Sequence, residues 1–198
     1  MNARRALPLL FACAALPGLA QSVYTATVLD LRTSGADFAT ALLDSCLVFT
    51  SIRSRAKAIA YTDEATGKPL ADLYGVRIHD GKQGTPLLIG GTLLSKYTDG
   101  PAACSPGGDT ICFTRNAPGA KRGTAGQLNL YFATKLGKEW GEPTPFAWNG
   151  TDFSTMAPSF SPDGQQLYFN SNRPGGFGGM DLYVCRKNGA QWSAPENL

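Results

Sequence analysis

The residues able to do chemistry are few and poorly placed for it. A Ser-His-Asp mechanism would have to use His79, the single histidine. His79 opens His79-Asp80-Gly81, a tight-turn sequence after a strand-forming run, so it reads as an exposed turn residue. No Gly-x-Ser-x-Gly elbow presents a nucleophilic serine. A metal centre needs tighter ligand spacing than Cys46, Cys104, Cys112 and Cys185 provide, and they form no Cys-x-x-Cys pair. The glycine-rich run from Pro174 to Gly179 lacks the following helix and the lysine of a phosphate cradle. The sequence assigns no catalytic, metal-binding or cofactor-binding residue.

Composition limits the elements that could carry such groups. Among 198 residues, 23 Gly and 13 Pro interrupt nearly every stretch long enough for a helix. Hydrophobic content of 43% and aromatic content of 10% are ordinary for a packed core, which excludes disorder. Glycines without a three-residue period exclude collagen. A turn-rich, mostly β chain remains.

The N-terminus reads differently from the rest. Arg4 and Arg5, an apolar run from Ala6 to Leu16, and Gly18-Leu19-Ala20 have the order of a secretory signal over residues 1–20, cleaved before Gln21. The expectation is an exported protein. Leu10-Phe11-Ala12-Cys13 leaves lipidation at Cys13 as the lesser alternative. A bilayer span needs about 20 apolar residues, and Pro8 and Pro17 bracket this run, so no transmembrane span is expected. Loss of Arg4 and Arg5 leaves 16 basic against 15 acidic side chains, too even a balance to draw nucleic acid. The clusters Arg53, Arg55, Lys57 and Lys121-Arg122 read as solvated loop residues.

Internal repetition organises the rest of the chain. The run from Ala157 to Arg173, APSFSPDGQQLYFNSNR, has a match 56 residues earlier, from Pro101 to Arg115. There Ser105-Pro106 answers Ser161-Pro162, Gly108 answers Gly164, and Phe113 answers Phe169. A shorter copy contains Phe49 to Arg53, parallel to Phe169 to Arg173. Asp72-Leu73-Tyr74, Asn129-Leu130-Tyr131 and Asp181-Leu182-Tyr183 form a second set. Ten residues beyond each leucine stand Gln83, Trp140 and Trp192. The units run over about 38–96, 97–149 and 150–198, after a lead-in at 21–37 that could add a strand through Val23 to Val28.

Each unit has a physical plan. Ser161-Pro162-Asp163-Gly164 is a turn in which proline presets one corner and glycine accepts positive φ. It joins strands at 156–160 and 166–171, the latter with Leu167 and Phe169 on one face. A third strand at 180–186 and a last segment around Trp192 complete a propeller-blade plan. Such a hairpin sets Cys104 opposite Ile111 and Cys112 opposite Ala103, pointing the two thiols to opposite faces and disfavouring a bridge between them. Phe113 and Phe169 should pack between adjacent blades, since an isolated blade leaves apolar faces bare.

The third copy, with Asp181-Leu182-Tyr183 and Trp192-Ser193 following the turn, resembles the WD40-like Pro-Asp propeller repeat of TolB-like and bacterial OmpA-family envelope proteins. The second copy departs at Gly107, where the motif has Asp, and carries an insertion at 118–126. The first lacks the Ser-Pro-Asp-Gly turn and has Gln83 for Trp. The resemblance implies an all-β fold of propeller blades, here three repeats, as half of a six-bladed TolB-like propeller. Within it Phe49, Phe113, Phe169, Ser161, Pro162, Asp163, Gly164, Arg173, Asp181, Tyr183, Trp140 and Trp192 are structural repeat positions. Asp181 is expected to pair with Arg173 or with backbone N–H groups. Ser161-Pro162-Asp163-Gly164 falls one residue short of the sialidase Asp-box between Asp and Gly.

Two functional readings stand. The favoured one is a non-enzymatic exported scaffold of the cell envelope, without cofactor. It would present a propeller face to an envelope protein, a cell-wall component or a second half-propeller, as the N-terminal part of an OmpA-family-like protein. The alternative is a propeller-based hydrolase or glycosidase whose catalytic residues lie on loops or outside this chain. Because three blades leave two edges open, the chain is expected to be part of a larger unit.

Overall fold

Period-two alternation and repeated turns build three sheets of one plan. A computed structural model describes residues 28–29, 31, 35–53, 67, 69–116 and 126–198. The signal peptide, Cys13, most of the lead-in, and Arg55, Lys57, Lys121 and Arg122 lie outside the described residues. The first sheet comprises β1 (Asp37–Leu43), β2 (Cys46–Ser51), β3 (Asp72–His79), β4 (Lys82–Gln83) and β5 (Leu87–Leu88). The second has β6 (Asp99–Cys104), β7 (Thr110–Asn116), β8 (Leu128–Leu136), β9 (Glu139–Trp140) and β10 (Thr144–Pro145). The third has β11 (Thr155–Phe160), β12 (Gln166–Ser171), β13 (Asp181–Asn188), β14 (Gln191–Trp192) and β15 (Glu196–Asn197). Three antiparallel strands follow chain order in each, and the third of them also pairs with both short strands.

The registers coincide. Phe49 pairs with Tyr74, Phe113 with Tyr131 and Phe169 with Tyr183. A bulge interrupts each first strand, between Phe38 and Ala41, Asp99 and Ala102, and Met156 and Ser159. Gln83, Trp140 and Trp192 occupy equivalent places opposite Ile78, Lys135 and Lys187. Cys104 faces Ile111 and Cys112 faces Ala103, the register the hairpin turn implies, and all four described cysteines are free.

The turn chemistry shows why the second copy tolerates a departure. In the third sheet the Ser161 hydroxyl donates to Asp163 Oδ1 at 2.5 Å and accepts from the Gln166 N–H at 2.9 Å. In the second sheet Gly107 cannot serve, and Asp109 accepts from the Ser105 hydroxyl at 2.7 Å instead. These hydrogen bonds hold both carboxyls below the usual carboxylate range.

Sheets stack face to face, each first strand crossing the face of the preceding sheet. β6 packs on β1, β2 and β3, and β11 on β6, β7 and β8. Phe113, Ile111 and Tyr131 thereby meet Val48 and Leu73 of the first sheet. Cys112, Leu130 and Phe146 point the other way and meet Leu167, Phe169 and Tyr183 of the third.

One hydrogen bond across these interfaces is not repeated. The Ala157 N–H on β11 donates to Thr114 Oγ1 of the second sheet at 3.0 Å. Pro101 stands at the corresponding place on β6 and has no N–H, and Thr50 Oγ1 is buried without a hydrogen-bond partner among the described residues. Thr114→Val should therefore cost about 1–3 kcal/mol, because it orphans a backbone donor. Thr50→Val should be neutral or stabilising. Equal losses for the two in urea denaturation would contradict this assignment.

One reading from composition is corrected. Arg53 is not a solvated loop residue, because its guanidinium lies 4.5 Å from the Tyr74 ring centroid and 3.2 Å from Asp37. A planar cation stacks on aromatic faces at low desolvation cost, which a count of nearby charges does not reveal.

Candidate interaction face

Among the described residues, the groups that might do chemistry stand apart from one another or lie exposed. His79 and Asp80 touch at 3.1 Å but are both 86% exposed, on a turn where Asp80 and Gly81 adopt positive φ. Among the described residues no three His, Cys, Asp or Glu come close enough together to hold a metal ion. Burial pushes every described thiol up, Cys104 to about 12 and Cys185 to about 11, so the nucleophilic thiolate is scarce near neutral pH. No described helix is long and apolar enough to cross a membrane.

The buried polar groups instead fasten each blade. Phe49 and Tyr74, Phe113 and Tyr131, and Phe169 and Tyr183 stack with centroids 6.0, 6.2 and 6.0 Å apart. An arginine covers every pair. Arg53 covers the first, Arg115 lies 4.9 Å from Phe113, and Arg173 lies 5.2 Å from Phe169 and 5.0 Å from Tyr183. The first residue of each first strand meets that arginine: Asp37, Asp99 and, through its hydroxyl at 3.4 Å, Thr155.

Sequence spacing anticipates Arg53 and Arg173 as equivalent but misses Arg115. Arg115 stands two residues beyond its phenylalanine, where the other sheets have Ser51 and Ser171. Those serines accept from Arg53 Nε at 2.8 Å and Arg173 Nε at 3.2 Å. Asp181 does not pair with Arg173 but accepts from the Gly178 N–H at 3.0 Å, holding the glycine-rich loop. Trp192 lies over Phe132 of the second sheet, centroids 6.2 Å apart, and its carbonyl accepts from Trp148 Nε1 at 3.2 Å.

The outer face of the third sheet breaks the pattern. Leu73 and Leu130 are 3% and 0% exposed beneath the following sheet, whereas Leu182, at the same register position, is 47% exposed. Leu198 is 57% exposed where its counterpart Phe146 is 4% exposed, although both N–H groups donate to equivalent carbonyls, Leu182 and Leu130, at 2.9 Å. Met180 and Phe177 are exposed nearby. This surface has the positions of a blade-to-blade interface, uncovered among the described residues. Leu130→Ala should cost about 2–5 kcal/mol, whereas Leu182→Ala should stay within about 0.5 kcal/mol, read by chemical denaturation of the isolated chain.

No protein-family model matches the chain, and no curated protein does. Solved structures share its fold. TolB from Acinetobacter baumannii matches with a TM-score of 0.51 at 14% identity, over 84% of this chain and 32% of that one. A putative TolB from Agrobacterium tumefaciens matches with a TM-score of 0.44 at 19% identity, over 75% of this chain and 41% of that one. This chain thus spans less than half the length of either. The fold is all-β, and its three sheets are blades of a TolB-like β-propeller matching part of that architecture.

Proposed function

We propose that the chain is a non-enzymatic, exported β-propeller scaffold of the bacterial cell envelope, holding an envelope protein or a cell-wall component. The observation that carries this reading is the outer face of the third sheet, where Leu182 and Leu198 lie open at positions buried in the other blades. Apolar faces of this kind are covered in working proteins, because exposed contiguous patches promote association. A further blade is the natural cover, supplied by a second half-propeller or by a longer OmpA-family-like chain of which these residues form the N-terminal part. On this reading the propeller has six blades, and Phe49, Phe113, Phe169, Tyr183, Trp140 and Trp192 are its repeat anchors. The free thiols held protonated and the exposed turn position of His79 favour binding over catalysis.

The test combines export with proximity. N-terminal sequencing of envelope-derived protein should begin at Gln21. A photocrosslinking amino acid at Leu182 should join a covering blade in intact cells, on one discrete partner or further along a longer chain, and the same group at His79 should not. Recovery from the cytoplasm beginning at Met1, with no crosslink from position 182, would overturn the reading.

A further inference from the structure

The two blade interfaces differ in how their outer parts are filled. Between the second and third sheets, four aromatic rings occupy that region. Phe132 lies 5.7 Å from Phe146, 6.5 Å from Phe160 and 6.2 Å from Trp192, and Phe160 lies 6.1 Å from Trp192. Between the first and second sheets, register places Gly75, Ile89, Cys104 and Trp140 at those positions. Only the tryptophan is kept. A cavity of about 800 Å³ opens there, lined by Gly75, Ile89, Trp140 and Val48.

The rim of this cavity is charged. Arg77, Lys135 and Lys138 line it against a single carboxylate, Asp44. Burial pushes the Cys46 thiol up; Arg77 and Lys135 oppose this and Asp44 adds to it, so these two cations and the carboxylate face the thiol that lines the cavity. An apolar floor with one indole face and a cationic rim suits an aromatic ring attached to an anion. The volume lies toward the upper end for pockets holding drug-sized ligands, more than one ring with a carboxylate fills.

We infer that the cavity between the first and second blades binds the carboxyl-terminal aromatic residue of a peptide, its ring taking the place Phe132 holds in the next interface and its carboxylate meeting Arg77, Lys135 or Lys138. The chemistry rests on these residues alone and is independent of the scaffold reading. Because Gly75 does not adopt positive φ, a side chain there meets no backbone strain. A Cβ would stand 3.0 Å from Cys46 Sγ, so a filling variant also trims that thiol.

The experiment is calorimetric titration of the full chain with an acetylated peptide of three alanines ending in phenylalanine. Saturable binding is expected, weakened about tenfold or more when the terminus is amidated or the phenylalanine is replaced by alanine. The Cys46→Ala, Gly75→Phe double variant should lose binding by a similar factor, with Cys46→Ala alone as its control. Lys135→Glu, a change on an exposed side chain, should weaken binding while leaving the fold intact, and so carries the test if the filled variant misfolds. Absence of saturable binding, indifference to the ring or the carboxylate, or unchanged affinity in the folded Cys46→Ala, Gly75→Phe variant or in Lys135→Glu would overturn the inference. Equal affinity for 3-phenylpropanoate would overturn the peptide as its ligand.

Discussion

Phe169→Ala is expected to destabilise the chain by about 3–5 kcal/mol, measured by urea denaturation. The ring is fully buried, stacks on Tyr183 and meets Phe146 of the neighbouring sheet edge-on with centroids 5.6 Å apart. Its removal costs the transfer energy of an aromatic side chain and leaves a cavity at the junction of two β-sheets, which can close only if one sheet shifts. It also strips one face from the Arg173 guanidinium. Asp163→Ala touches an exposed turn, loses only solvent-screened hydrogen bonds and should cost much less. If both variants unfolded at the same urea concentration, Phe169 would not be the anchor between blades.

Arg115→Ala is expected to cost about 3–5 kcal/mol near neutral pH, because it strands a buried carboxylate. Asp99 is 1% exposed and receives Arg115 Nε at 2.5 Å and the Ser95 hydroxyl at 2.7 Å. Burial pushes the Asp99 carboxyl above the usual range, against the pull of Arg115 and Ser95. Without the arginine the shift grows. An acid whose folded pKa exceeds its unfolded value favours folding most when protonated, and that advantage disappears as pH rises through the folded pKa. The deficit of the variant should therefore shrink as pH falls from about 7 to about 4. A deficit constant across that range would show that the carboxylate is not what the arginine neutralises.

Much of the architecture is legible along the chain because its determinants are local. Ser161-Pro162-Asp163-Gly164 carries its own turn geometry, alternation places Leu167 and Phe169 on one face, and the hairpin sets Cys104 and Cys112 on opposite faces. Side-chain reach is different. Arg115 and Arg173 start two and four residues beyond their phenylalanines, yet their flexible chains bring each guanidinium over the Phe–Tyr stack of its own blade. No linear spacing could equate them.

The repeated strands, their turns and the inward face of each blade follow from neighbours one to six residues apart, so the order of residues dictates them. What the other faces meet depends on how the blades stack. Leu73, Leu130 and Leu182 have the same setting in their strands, but only the first two lie under another sheet. Gly75 is an ordinary strand glycine until its equivalence to Phe132 of the next blade shows the space it leaves. Burial and empty space belong to the pairing of surfaces distant in sequence, so they exist only once the blades have stacked.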